Sequence, residues 1–255
     1  MKLRAPAIIS TVLVLGIPAT SLGDDDDHGR GLQLKADPFV FVGKPGDCGG
    51  GYPAGSNIVT AAWLGGMGLP DNGGQNSGIN PADNPNKRDP HLGLLLSKNG
   101  PTADCSAAGA EIKGVKGVVV SAAFQLGFDY RNGSHCGGGA PRFNVVTRTG
   151  SVETFHFVGN CAVGINTPAE QDPLQWTTIR FSAAVAVPPI LPGSRIESIT
   201  LIFDEGTDQP SPVPASSGDI NGIGLAVVDN IFINGRSIPS GKGVEPKPGE
   251  RGHDD

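Results

Sequence analysis

The sequence predicts an all-β chain, folded as a two-sheet antiparallel β-sandwich and held by disulfides. Three observations predict this. Short β-prone runs rich in Val, Ile, Phe and Thr recur along the chain, separated by clusters of Gly, Pro, Asn and Asp. Glycine (39 residues) and proline (22) are abundant, and helix formers in amphipathic runs are scarce. Four cysteines form an even set, as an oxidised framework requires.

The chain opens on Lys2 and Arg4, then the apolar run AIISTVLVLGI, then small residues in PATSLG. That order predicts a secretory signal peptide over 1–23 and hence a secreted, extracellular protein. No other apolar run approaches the ~20 residues a membrane-spanning helix needs. Without the signal, the formal charge falls to −8, from 19 − 2 = 17 basic against 25 acidic residues. An acidic chain with no basic patch makes nucleic acid and anionic lipid poor partners. Residues 24–35, with the run DDDDH, and the polar tail 240–255 cannot bury enough apolar surface to order themselves. A single β-sandwich domain is expected between them, over 36–239.

Nine strands are expected: 39–42, 57–63, 92–97, 117–128, 142–148, 152–158, 176–182, 195–203 and 224–233. Nine are enough for two packed sheets. Between the second and third lies the longest irregular segment, 64–91, rich in Asn, Asp and Gly. Connections of that length are commonly functional or disordered. Its oxygens suit a cation or a sugar, and a simple excursion is the alternative.

The runs RFNVVTR and SVETFHFVG flank Thr149-Gly150, a turn signal. Opposed residues of a hairpin have a constant index sum, here about 298–300. Cys136 and Cys161 sum to 297, which places them opposite each other at the open end, within disulfide reach. Cys48–Cys105 follows by elimination. A zinc set of His135, Cys136, His156 and Cys161 lacks the close Cys spacing such sites show, and a thiolate nucleophile would need a reducing compartment. In FHF, His156 faces opposite the two phenylalanines.

The stretch DYRNGSHCGGGAPR concentrates Asp129, Tyr130, Arg131, Asn132 and His135 before a glycine run. These five are the candidate ligand-binding loop. The glycines lack the strand–loop–helix context of a phosphate site. FDEGTD (203–208) offers Asp204, Glu205 and Asp208 on a turn, where adjacent acids are solvated, or bind a surface Ca²⁺, rather than face each other across a cleft.

GDINGIGLAVVDNIFING (218–235) reads first as a calcium loop, then as a strand. The loop reading fails because Ile223 stands where an oxygen ligand is needed and Asn230 where the terminal acid is needed. The strand reading puts Leu225, Val227, Asp229, Ile231 and Ile233 on one face and Ala226, Val228, Asn230 and Phe232 on the other; both faces are apolar, so the strand is central and Asp229 is buried. A buried carboxylate needs a cation or several donors. Either a Ca²⁺ ion or backbone N–H groups near Asp37 are expected to serve, making Asp229 and Asp37 the candidate metal residues.

The VVDNIFING strand, after SRIESITLIFDEGTD, resembles the closing strands of galactose-binding-like jelly rolls, a group that includes many carbohydrate-binding modules. The resemblance covers about 195–235 and implies a jelly-roll-like sandwich, a glycan ligand and a structural Ca²⁺ at a sheet edge. WLGGMGLPDNGG, LGFDYRNGSHCGGGAPRFNVVT and FDEGTD resemble segments of uncharacterised secreted bacterial proteins across most of 57–235. Aromatic residues, at 5%, are fewer than a typical sugar binder carries. The expectation is a secreted, non-catalytic binding domain for an extracellular ligand, most simply a glycan. The alternatives are a hydrolase using the carboxylates around Asp129 and Asp204, and a structural protein of the cell surface or matrix.

Overall fold

A computed structural model describes residues 34–44, 46–48, 54–55, 59–69, 92–98, 105–137, 139–159, 161–204 and 224–238. The expected signal peptide, the acidic run at 24–28, the tail at 240–255, most of the 64–91 segment, the 205–208 acids and the 218–223 turn lie outside the described residues.

Twelve strands are described. They are β1 (Lys35–Val42), β2 (Val59–Leu64), β3 (Gly93–Lys98), β4 (Ser106–Lys113), β5 (Gln125–Arg131) and β6 (Arg142–Thr149). Then come β7 (Val152–Gly159), β8 (Ile165–Pro168), β9 (Trp176–Ser182), β10 (Arg195–Phe203), β11 (Leu225–Ile233) and β12 (Arg236–Ile238). The first sheet runs β1-β4-β10-β6-β7, and the second runs β2-β3-β11-β5-β9-β8, with β12 paired to β11. Every strand pair is antiparallel. The fold is therefore a β-sandwich, as expected.

The two late strands β10 and β11 sit inside their sheets rather than at an edge. Their apolar character explains this, because an interior strand is flanked on both sides and covered on at least one face. Between the sheets, Phe143 of β6 meets Phe128 of β5 and Phe181 of β9 at ring-centroid distances of 5.9 and 6.5 Å. Phe128 and Phe181 lie 6.1 Å apart. All three rings are buried and tilted to one another, the arrangement their quadrupoles favour.

Eight expected strands form close to their expected positions, and the ninth divides. In 117–128, the Val118–Val120 run lies against the start of β10, through Val120 N to Ser194 O (2.8 Å) and Ile196 N to Val118 O (2.9 Å). A turn closed by Phe124 N to Ser121 O follows, and β5 starts at Gln125. β4, with sequence SAAGAEIK, carries little intrinsic strand preference. Its pairing with β1 and β10 makes it a strand, and its alanines fit where Ala108 and Ala110 are fully enclosed.

Both disulfides join the expected cysteines. Cys48–Cys105 and Cys136–Cys161 have Cα separations of 5.5 and 5.6 Å. The β6–β7 register has an index sum of 301, as in Arg142 with Gly159 and Thr149 with Val152. The cysteines, at 297, lie just past the paired end, and Cys161 N to Gly137 O (3.1 Å) completes the junction.

Candidate functional site

The side chains expected to form one binding loop are divided between two faces of the second sheet. Tyr130 points inward with Phe128, its ring 6.5 Å away and edge-on. His135 is also internal, with its ring edge-on to Phe203 at 5.3 Å. Arg131 is exposed at the end of β5. Asn132 ties its turn to the segment entering β9, donating to Leu174 O (3.2 Å) and accepting from Thr177 Oγ1 (2.7 Å). Asp129 faces the other way, onto the outer side of the sheet. Alternation along β5 causes this division, since neighbouring residues of a strand point to opposite faces.

On that outer side Asp129 stands directly across from Asp229 of β11. The single-face reading of 225–233 is corrected here. The β5–β11 register shifts between Asp229 and Phe232, and Asn230 adopts a left-handed φ of 44°. A bulge of this kind reverses the alternation. Val227 and Asp229 therefore face outward, while Ile231 and Ile233 join the inter-sheet core.

The Asp229 carboxylate is buried and held by backbone donors. Oδ2 accepts from Leu69 N (2.7 Å) and Oδ1 from Asn230 N (2.6 Å). It thus fastens the start of the long connection onto the sheet. A Cβ at Gly68 would fall 2.2 Å from Leu92 O and 2.6 Å from Asp229 Oδ2, so only glycine allows this approach. Leu69, Ala169, Trp176 and Val227 form a small apolar cover beside it. The expected backbone donors come from residues 69 and 230 rather than from the first strand. Asp37 lies on β1, in the other sheet, so the pair Asp229 and Asp37 is not brought together. Among the described residues, no group of three His, Cys, Asp or Glu side chains is disposed to hold a metal.

Asp129 Oδ2 accepts from Asn230 Nδ2 (2.8 Å), whose other proton reaches Gln171 Oε1 (2.9 Å). Asp129 Oδ1 lies 3.6 Å from Arg180 Nη1. Burial pushes the Arg180 guanidinium below its ordinary pKa, and the Asp129 charge opposes that shift. Arg180 also covers the Phe232 ring, 4.5 Å from its centroid. With Asp129 and Asp229 both enclosed, this network stitches β5, β9, β11 and the 69 and 171 turns together.

The accessible chemistry lies on the outer face of the first sheet. Register aligns Asp37, Glu111, Thr200, Asn144 and Phe157 in one row across all five strands. Phe157, 47% exposed, ends the row, and Phe155 (46%) stands edge-on to it at 4.9 Å. Next to Phe157 is a cleft of about 420 Å³, lined by Gly139, Arg142, Gly159 and the exposed valines 163 and 187 among others. Arg142 lies flat across the sheet, its guanidinium carbon 5.5 Å from the Phe157 centroid. Gly159 makes this possible, because a Cβ there would meet Arg142 Cβ at 2.3 Å. The guanidinium forks onto Asp204, with Nη1 to Oδ1 at 2.5 Å and Nη2 to Oδ2 at 2.7 Å. It also donates to Gly139 O (3.0 Å) and Asn144 Oδ1 (3.2 Å).

His156 and Phe157 secure the cleft wall. His156 is buried, and its Nδ1 donates to Pro188 O (2.7 Å) while Nε2 meets Thr147 Oγ1 (2.8 Å). Because a carbonyl only accepts, the proton belongs on Nδ1. Phe157 and Val187 exchange two backbone bonds, of 2.9 and 2.8 Å. Sequence reasoning singled out neither Arg142 nor Phe157 for a site. A signal was present in FHF, where alternation buries the histidine and exposes two phenylalanines, against their hydropathy.

Compared with known protein families, curated proteins and solved structures, the chain matches none of them.

Proposed function

We infer that the chain is a secreted, non-catalytic binding domain whose ligand is a glycan held on the outer face of the first sheet. The observation that carries this reading is the exposed Phe157 ring, set at the end of a polar cross-strand row and in the wall of an open cleft. Sugars present apolar C–H faces and ring hydroxyls together. An aromatic ring beside fixed Asn, Thr and Arg–Asp groups matches both, which is the general composition of a ligand cleft. Two disulfides with no free cysteine among the described residues support an oxidising, extracellular setting. The hydrolase reading has less support, because Asp129 is enclosed and bonded to Asn230 while Asp204 is engaged by the Arg142 fork.

Retention of the mature chain in affinity gels containing soluble polysaccharides tests the reading. Phe157→Ala should weaken retention roughly tenfold or more, as loss of a central aromatic anchor does, with little change in melting temperature. Unchanged retention by Phe157→Ala would remove the cleft from the binding surface.

A further inference from the structure

An arginine in a ligand cleft ordinarily invites an anion. Arg142 differs, because its acceptors are already in place. Four of its N–H groups are directed at Asp204 Oδ1, Asp204 Oδ2, Gly139 O and Asn144 Oδ1. Its side chain is 15% exposed and lines the cleft, while Asp204, 34% exposed, holds it from outside that lining. The other described lining residues, Gly139, Phe157, Gly159, Val163, Val185 and Val187, carry no charge. The nearest ion pair along the polar row is also closed on itself, Glu111 with Lys113 at 2.5 Å.

We propose that the cleft selects uncharged glycans over acidic ones, with Asp204 as the residue that sets the selectivity. This rests on the reading of the cleft as a glycan site. Asp204 neutralises Arg142, occupies both prongs of its fork and presents its own charge to solvent. A uronate, sulfate or sialate would have to displace Asp204 or lie beside it, and like charges side by side oppose binding. A neutral sugar needs neither.

The test compares galactan, mannan and glucan with the same polymers after their C6 hydroxymethyl groups are oxidised to carboxylates. Binding of the full mature chain is followed by biolayer interferometry at low and at high salt. The expected result is that oxidation weakens binding of the preferred polymer roughly tenfold or more at low salt, and that high salt recovers part of the loss. Asp204→Asn, checked for folding by near-UV circular dichroism, should bind the oxidised polymer more tightly than the parent chain does. Equal or tighter binding of the oxidised polymer by the parent chain overturns the proposal and leaves the glycan reading standing. Binding to none of the polymers, native or oxidised, overturns both. If Asp204→Asn does not fold, the salt response of the parent chain decides.

Discussion

Replacing Asp229 with alanine tests the buried network most directly. The carboxylate is 1% exposed and accepts from two backbone N–H groups, Leu69 N at 2.7 Å and Asn230 N at 2.6 Å. Hydrogen bonds to a charged group contribute about 1.5–3 kcal/mol each, and a buried donor left without an acceptor costs about 1–3 kcal/mol. Two such donors set a gross loss of about 3–6 kcal/mol, and relief from burying a charge offsets part of it, leaving about 2–4 kcal/mol. Urea unfolding followed by fluorescence of Trp63 and Trp176 measures the loss. With a slope near 2–3 kcal/mol/M, the midpoint should fall by about 1 M. Hydrogen exchange supplies the local readout, because the Leu69 amide loses its acceptor and its protection should collapse before that of β5 or β9. Asp229→Asn should be intermediate, since it keeps one acceptor and turns an N–H₂ group toward the other donor. A midpoint within about 0.2 M of the parent, with the Leu69 amide still protected, would refute the reasoning, since surface substitutions change stability by only about 0.5 kcal/mol.

Two further outcomes are expected. Replacing Cys136 and Cys161 together by serine should cost about 3.5 kcal/mol, and Cys48 with Cys105 about 4 kcal/mol, from loop closure over separations of 25 and 57 residues; differential calorimetry of the two double variants measures the order, and equal or reversed losses would contradict it. Chelator should leave the melting temperature of the parent chain unchanged, because backbone N–H groups hold both Asp229 oxygens; a fall that Asp229→Ala no longer shows would put a cation at that carboxylate.

Much of the architecture is legible in one dimension because its causes are local. Alternation at period two and turn residues such as Gly150 mark β6 and β7, and their hairpin register carries Cys136 toward Cys161. The burial of Asp229 also follows locally, from apolar neighbours on both sides in sequence. Its partners do not. Leu69 is 160 residues away, and the bulge at Asn230 that turns Asp229 outward arises in pairing with β5. No local pattern in SAAGAEIK announces a strand, since β1 and β10 impose that conformation from either side.

The sequence by itself determined an all-β chain, its two disulfide pairs and a carboxylate buried in a closing strand. The Cys136–Cys161 pair and the buried carboxylate depend on local spacing, the fold class on composition, and the Cys48–Cys105 pair on elimination. Tertiary structure alone decided what the carboxylate holds and where the open chemistry lies. Asn144, Thr200 and Phe157 become neighbours only through strand pairing, which sets residues from separate strands about 5 Å apart in one row. Arg142 meets Asp204 because β6 lies beside β10, bringing together charges 62 residues apart. Gly159 then lets that arginine lie flat, and this close approach is a property of two paired backbones that neither segment shows alone.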